Sequence, residues 1–162
     1  MRIRQARAAD AAAIADIVNA IIKDTLVTFT TDERSNESIA KDIEARGRGY
    51  LVAEQEKQVL GFATISPFRS GPGYAQCREL TIHLTPDAQG QGAGRALIAA
   101  LESDARKDGV HVLVAGISSA NPGAVAFHTA LGFEQVGRMP EVGRKWGKWL
   151  DLVLMQKIIS GE

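Results

Sequence analysis

One cysteine, Cys77, stands in 162 residues. No internal disulfide can form from it, and no metal site can be assembled from several thiolates. Charge of one sign is also lacking: 19 Lys and Arg meet 19 Asp and Glu, for a formal net charge of zero. General nucleic-acid binders draw their affinity from clustered positive charge, so no nucleic-acid partner is expected. Long apolar runs are missing as well. Val110–Ile117 is among the longest and is far too short to span a bilayer. Met1–Arg7 holds no apolar stretch of the kind a secretory leader needs. The expectations are therefore no membrane contact and a cytoplasmic location. Disorder is excluded by composition, since 45% of the residues are hydrophobic and the charges balance. A chain of this length suits one domain with one core, spanning residues 1–162.

The pattern along the chain alternates helices and strands. Ile14, Ile17, Val18, Ile21 and Ile22 recur at helical spacing in Ala11–Asp24, with Asp10 as the expected N-cap. A shorter helix is expected from Ser35 to about Ala45, after a threonine-rich loop, Thr25–Asp32, that carries Phe29. Tyr50–Glu54 and Val59–Ser66 read as a hairpin, and Gln76–Leu84 as the next strand. Within that strand Leu80, Ile82 and Leu84 face one way while Glu79, Thr81 and His83 face the other. A helix from about Gln91 to Lys107, a strand at Val110–Ile117 and a helix opened by Asn121-Pro122 and closed by Gly132 follow. Strands at about Glu134–Arg138 and Trp149–Ile158 complete an α/β domain with a mixed sheet.

Between a strand and a helix lies Gln89-Gly90-Gln91-Gly92-Ala93-Gly94. Glycines leave the backbone open to an anion, and the first amides of the helix point at it. The turn does not fit a P-loop, because Gly94 is followed by Arg95-Ala96 rather than Lys and Ser or Thr. It does not fit the dinucleotide fingerprint either, because the third glycine place falls on Arg95 or Leu97. Spacing alone leaves two readings open: a phosphate cradle, or a glycine-rich turn that only reverses the chain.

Gln89-x-x-Gly92-x-Gly94 after this strand resembles the pyrophosphate-binding motif of the GNAT (GCN-five-related N-acetyltransferase) superfamily. A second element, Asn121 through Phe133, resembles the downstream motif of that superfamily. Over most of its length the chain is similar to the phosphinothricin and methionine-sulfoximine acetyltransferase branch. The supporting segments are Val27-Thr28-Phe29, Pro67-Phe68-Arg69, Glu79–Leu84 and Gly147–Asp151. The resemblance implies the GNAT fold, a mixed central sheet flanked by helices. It also implies acetyl-CoA as co-substrate, a small-molecule amine as acceptor and a homodimer. It assigns cofactor binding to Gln89, Gly90, Gln91, Gly92, Ala93, Gly94, Arg95, Asn121 and the backbone of Ile82, His83 and Leu84.

Acetyl transfer to an alkyl amine needs a base, because such an amine is mostly protonated at neutral pH. By resemblance Glu79 is that base, acting through water; otherwise it is an ordinary strand carboxylate. His128 stands where a thiolate-protonating residue is expected, and an imidazolium suits that work; packing against Phe133 explains it equally. The relatives carry Tyr where this chain has His83, which leaves a backbone role there and its side-chain role open. Phe29, Arg69 and Arg78 align with the acceptor region, where arginine suits a carboxylate. Each arginine also reads as a solvated loop charge, the more frequent place for arginine. Asn121 reads as a cofactor contact or simply as a helix cap. Lys145, Trp146 and Trp149 fall where the branch builds its active-site rim and dimer contacts. Cys77 reads as a small buried hydrophobe, which favours direct transfer over an acetyl-cysteine. Two alternatives stay open: a different acceptor (polyamine, aminoglycoside or protein N-terminus), or a non-catalytic acetyl-CoA sensor.

Overall fold

Glu56 and Lys57, both at positive φ, close a two-residue turn between β2 (Tyr50–Gln55) and β3 (Gln58–Pro67). Such turns match the right-handed twist of the strands they join. From this hairpin the sheet grows in both directions in a computed structural model that describes residues 1–160. On one side β1 (Arg2–Gln5) pairs antiparallel with β2. On the other come β4 (Cys77–Leu84), β5 (Val112–Ser118), β7 (Lys148–Ile158) and β6 (Glu134–Lys145), giving the order β1-β2-β3-β4-β5-β7-β6. Every neighbouring pair is antiparallel except β4 and β5.

The strand alternation sends two apolar sets to opposite faces. Val52 and Phe62 meet Ile14 and Ile17 of α1 (Ala11–Asp24) and Ile39 and Ile43 of α2 (Asn36–Arg46). On the other face Ala63, Ile65, Leu80 and Leu113 pack under Leu97, Ile98 and Leu101 of α3 (Ala93–Lys107). The short α4 (Pro122–Ala130) adds Ala124, Val125 and Phe127 to that second cluster. Fully burying a Val, Leu, Ile or Phe side chain in these clusters is worth about 1.5–3 kcal/mol.

Four details differ from the sequence expectation. Asp10 does not cap α1 with its side chain. Its carboxylate takes the Arg7 N–H at 2.7 Å and two Arg4 guanidinium bonds at 2.8 and 2.9 Å. Those bonds tie β1 to the start of α1, and β1 itself escapes an apolar pattern because Arg2 and Arg4 flank a single Ile3. α3 starts at Ala93 rather than Gln91, since Gly92 stands in the left-handed region at φ 85°. β6 runs on past Arg138 to Lys145 by bulging between Met139 and Gly143, which absorbs Pro140 in the strand.

Candidate active site

The parallel pair parts early. β4 and β5 are in register from Cys77↔Val112 to Leu80↔Ala115, and no pairing continues beyond. Thr81–Leu84 and Gly116–Ser118 therefore bound a gap in the middle of the sheet. Strand alternation says which groups face it. Thr85 N–H donates to Leu60 O at 2.8 Å, so in the same register His83 and Thr81 direct their backbone groups to β3. Ile82 and Leu84 then turn their N–H and C=O groups toward the gap. The backbone of His83 belongs to the β3 ladder opposite Phe62, and its ring meets Phe62 edge-on at 5.7 Å. The backbone groups of His83 are thus turned away from the gap, and those of its two neighbours face it.

The gap opens into a cavity of about 1150 Å³. Its wall includes Ile82, His83, Leu84, Gln89, Gly90, Gly92, Gly94, Arg95, Asn121, Phe29, Glu79 and His128, twelve of the sequence candidates. Gly90 and Gly92 have φ of 79° and 85° with open space where a Cβ would stand. Backbone conformation, not crowding, demands glycine at both. Gly94 has a different reason: a Cβ there would lie 3.0 Å from the Phe127 ring, so it lets α4 approach α3. Gln91 braces the turn from outside, its Nε2 donating to Asp87 O at 2.6 Å. Ala93 is buried under the turn. At the N-terminus of α3 the first amides have no earlier carbonyl to bond, and the helix dipole adds partial positive charge there. An anionic group fits this cradle.

Glu79 is half-buried, and burial raises its carboxyl above the usual range. Its Oε2 lies 3.4 Å from the position a Cβ on Gly116 would take, at the point where β4 and β5 part. Burial holds the His83 imidazole down to about 4, so that ring is neutral at physiological pH. His128 is 4% exposed, with Phe127 and Phe133 edge-on at 5.2 Å on either side. Its Nδ1 lies 2.8 Å from Ala124 O. A carbonyl only accepts, which assigns the proton to Nδ1 and leaves Nε2 a lone pair. That Nε2 is buried without a partner, and burial pushes the ring below its ordinary value. The resting ring is neutral, so the imidazolium expected from sequence is not its ground state. Cys77 does not line the cavity, and burial with the nearby Glu79 charge raises its thiol.

Asn121 is the helix cap that the sequence left open. Its Oδ1 accepts the Ala124 N–H at 3.3 Å as the α4 cap, and the residue also lines the cavity. Arg69 and Arg78 are not brought into the wall. Arg69 lies over the Tyr74 ring at 5.8 Å, and Arg78 Nε donates to Ala75 O at 3.2 Å. The charged residues that do line the cavity are Asp16, Asp24, Glu79 and Arg95, three acids to one base. Asp16 and Asp24 were missed, although Asp16, Ala20 and Asp24 share one stripe of α1 at i, i+4, i+8. Among the described residues no group of three or more His, Cys, Asp or Glu is placed to hold a metal ion. No helix among them is long and apolar enough to cross a membrane.

Residues 15–133 match the acetyltransferase (GNAT) family. The chain is 40% identical over 159 residues to the L-amino acid N-acyltransferase MnaT of Escherichia coli K12, covering 96% of this chain and 92% of that one. It is 38% identical over 159 residues to the L-methionine sulfoximine/L-methionine sulfone acetyltransferase of Salmonella typhimurium, with 96% and 93% covered. A solved phosphinothricin acetyltransferase from Sinorhizobium meliloti, in complex with acetyl-CoA, superposes with a TM-score of 0.91 at 34% identity, covering 98% of this chain and 88% of that one.

Proposed function

The chain belongs to the acetyltransferase (GNAT) family, and we propose that its acceptor is the α-amine of a small amino-acid analogue of the methionine sulfoximine, methionine sulfone or phosphinothricin type. It is an acetyl-CoA-dependent N-acetyltransferase. The observation that carries the reading is the parted β4–β5 seam, with Glu79 on one side and the open amides of the Gly90–Arg95 turn on the other.

The amides of Gly92–Arg95 suit the pyrophosphate, and the free N–H groups of Ile82 and Leu84 suit the pantetheine arm and the thioester oxygen. When bound, acetyl-CoA supplies an activated thioester carbonyl. The Glu79 carboxylate, directly or through one water, takes a proton from the acceptor ammonium and releases the nucleophilic amine. Donors aimed from Ile82 or Leu84 at the carbonyl oxygen stabilise the negative charge that grows there during attack. Attack leaves one excess proton on nitrogen, and that proton passes to the departing sulfur. The proton count therefore closes without an acid at His128. His128, neutral with a bare Nε2, is suited to accept a hydrogen bond from the thiol.

The exposed Val142, Trp146 and Trp149 of the β6–β7 hairpin support a homodimer. A lone free thiol at Cys77 accords with a cytoplasmic location. One observation favours a second acceptor class: Asp16, Asp24 and Glu79 make the wall acidic, which suits a polyamine or aminoglycoside. Thiol release from acetyl-CoA with a panel of amines separates the two. Turnover of methionine sulfoximine, methionine sulfone or phosphinothricin is expected. Turnover of spermidine or an aminoglycoside alone selects the second class, and CoA binding without turnover of any amine leaves a sensor.

A further inference from the structure

Outside the segment that matches the family, the far end of β6 reaches back to the cavity wall. Lys145 is 2% exposed, and its ammonium is spent on the last turn of α1 and the loop that follows it. Nζ lies 2.7 Å from Ile22 O, 2.7 Å from Thr25 O and 3.1 Å from both Thr28 O and Thr28 Oγ1. A buried lysine is costly unless its donors are all used, and here every N–H has a loop oxygen within reach. Two residues earlier, Gly143 is buried at an ordinary negative φ, so conformation does not require glycine. Space does: a Cβ there would stand 2.6–2.7 Å from three atoms of the Phe29 ring. Phe29, Thr25, Val27 and Thr28 all line the cavity.

We infer that the Gly143–Lys145 end of β6 is a specificity clamp for the acceptor. Lys145 fixes the path of Thr25–Thr28, and Gly143 seats the Phe29 ring that forms part of the acceptor wall. Both are positioning residues, acting on the acceptor through the loop. What the wall encloses rests on the acetyl-transfer reading above; that the clamp holds the loop does not. The cofactor cradle at Gly90–Arg95 stands at the start of α3, away from the Lys145 hydrogen bonds and from the Phe29 ring beside Gly143.

The test uses Lys145→Met, which keeps the stem and removes the ammonium, and Gly143→Ala, which crowds the ring. Steady-state kinetics with methionine sulfoximine, the acetyl-CoA dissociation constant and amide exchange over residues 25–32 are read for each. Expected is a rise in acceptor KM of about tenfold in both variants, with kcat and acetyl-CoA affinity within about twofold of the parent. A change in the ratio of rates for long and short acceptor side chains accompanies it. Amide exchange at 25–32 is expected to quicken in Lys145→Met while the core strands keep theirs. Parent-like acceptor KM in both variants overturns the inference, as does a parallel loss of acetyl-CoA affinity. Should Lys145→Met fail to fold, Gly143→Ala decides by the same kinetic criteria. Should the parent acetylate no amino-acid analogue, the acceptor reading fails, while unchanged exchange at 25–32 still sinks the clamp and quickened exchange still upholds it.

Discussion

The cavity has two ends built from different materials. One end is backbone: the open amides of the Gly90–Arg95 turn and of Ile82 and Leu84, left over by a helix start and a parted strand pair. The other is side chain: Glu79 on β4, Asp16 and Asp24 on α1, and Phe29 on a loop tied down by Lys145. A backbone site binds whatever anion the amides suit, and it tolerates change in most side chains around it. A side-chain site depends on how separate segments lie against one another. The first end explains a shared cofactor; the second leaves room for different acceptors.

Three substitutions probe that division. The largest effect is expected for Glu79→Gln, which removes the proposed base and leaves the backbone end intact. A loss of kcat/KM of about 10²–10⁴-fold is expected, with acetyl-CoA affinity retained. As the proposed base, the same residue should set the pH dependence. Burial raises its carboxyl, and the base works only when deprotonated. The acid limb of the parent kcat/KM profile should therefore lie above the ordinary glutamate value of about 4.3, with the rate rising as pH rises through it. That limb should vanish in Glu79→Gln; a limb that persists unchanged assigns it to another group.

Gly92→Ala should act on the backbone end alone. Its φ of 85° costs a non-glycine residue about 1–2 kcal/mol. Acetyl-CoA KM should rise on the order of tenfold while acceptor KM stays near the parent value. Equal damage to both KM values would erase the distinction between the ends. The smallest effect is expected for His128→Asn. A neutral ring that donates from Nδ1 to Ala124 O is not an acid, so kcat should fall by less than about tenfold. A loss as large as that of Glu79→Gln would make His128 a proton carrier after all.

The two ends also differ in how much of them can be read from the chain. Gly90, Gly92 and Gly94 mark the backbone end locally, because a left-handed turn and a close helix approach both need glycine within a few residues. The alternation of Glu79 with Leu80 likewise follows from strand geometry alone. Six of the seven strands and most element limits agree with apolar periodicity; β1 does not, because its Arg4 serves Asp10 and Glu54 instead of a core. The acceptor wall is harder. Arg69 and Arg78 suit a carboxylate chemically, yet one lies over the Tyr74 ring and the other donates to Ala75 O, both in the loop before β4. Lys145 carries no local sign of burial, because its partners lie more than a hundred residues upstream.

That distance sets an order of events during synthesis. A chain emerging from the ribosome presents α1 and its loop early, and the glycine turn well before the β6–β7 hairpin. Loops closed by distant residues must wait for them. Thr25–Thr28 has no ammonium to gather its carbonyls until Lys145 has been made, and Phe29 has no seat until Gly143 has. On the proposed roles, the nascent protein can thus shape its phosphate cradle first, and becomes selective for an acceptor only with its final strands.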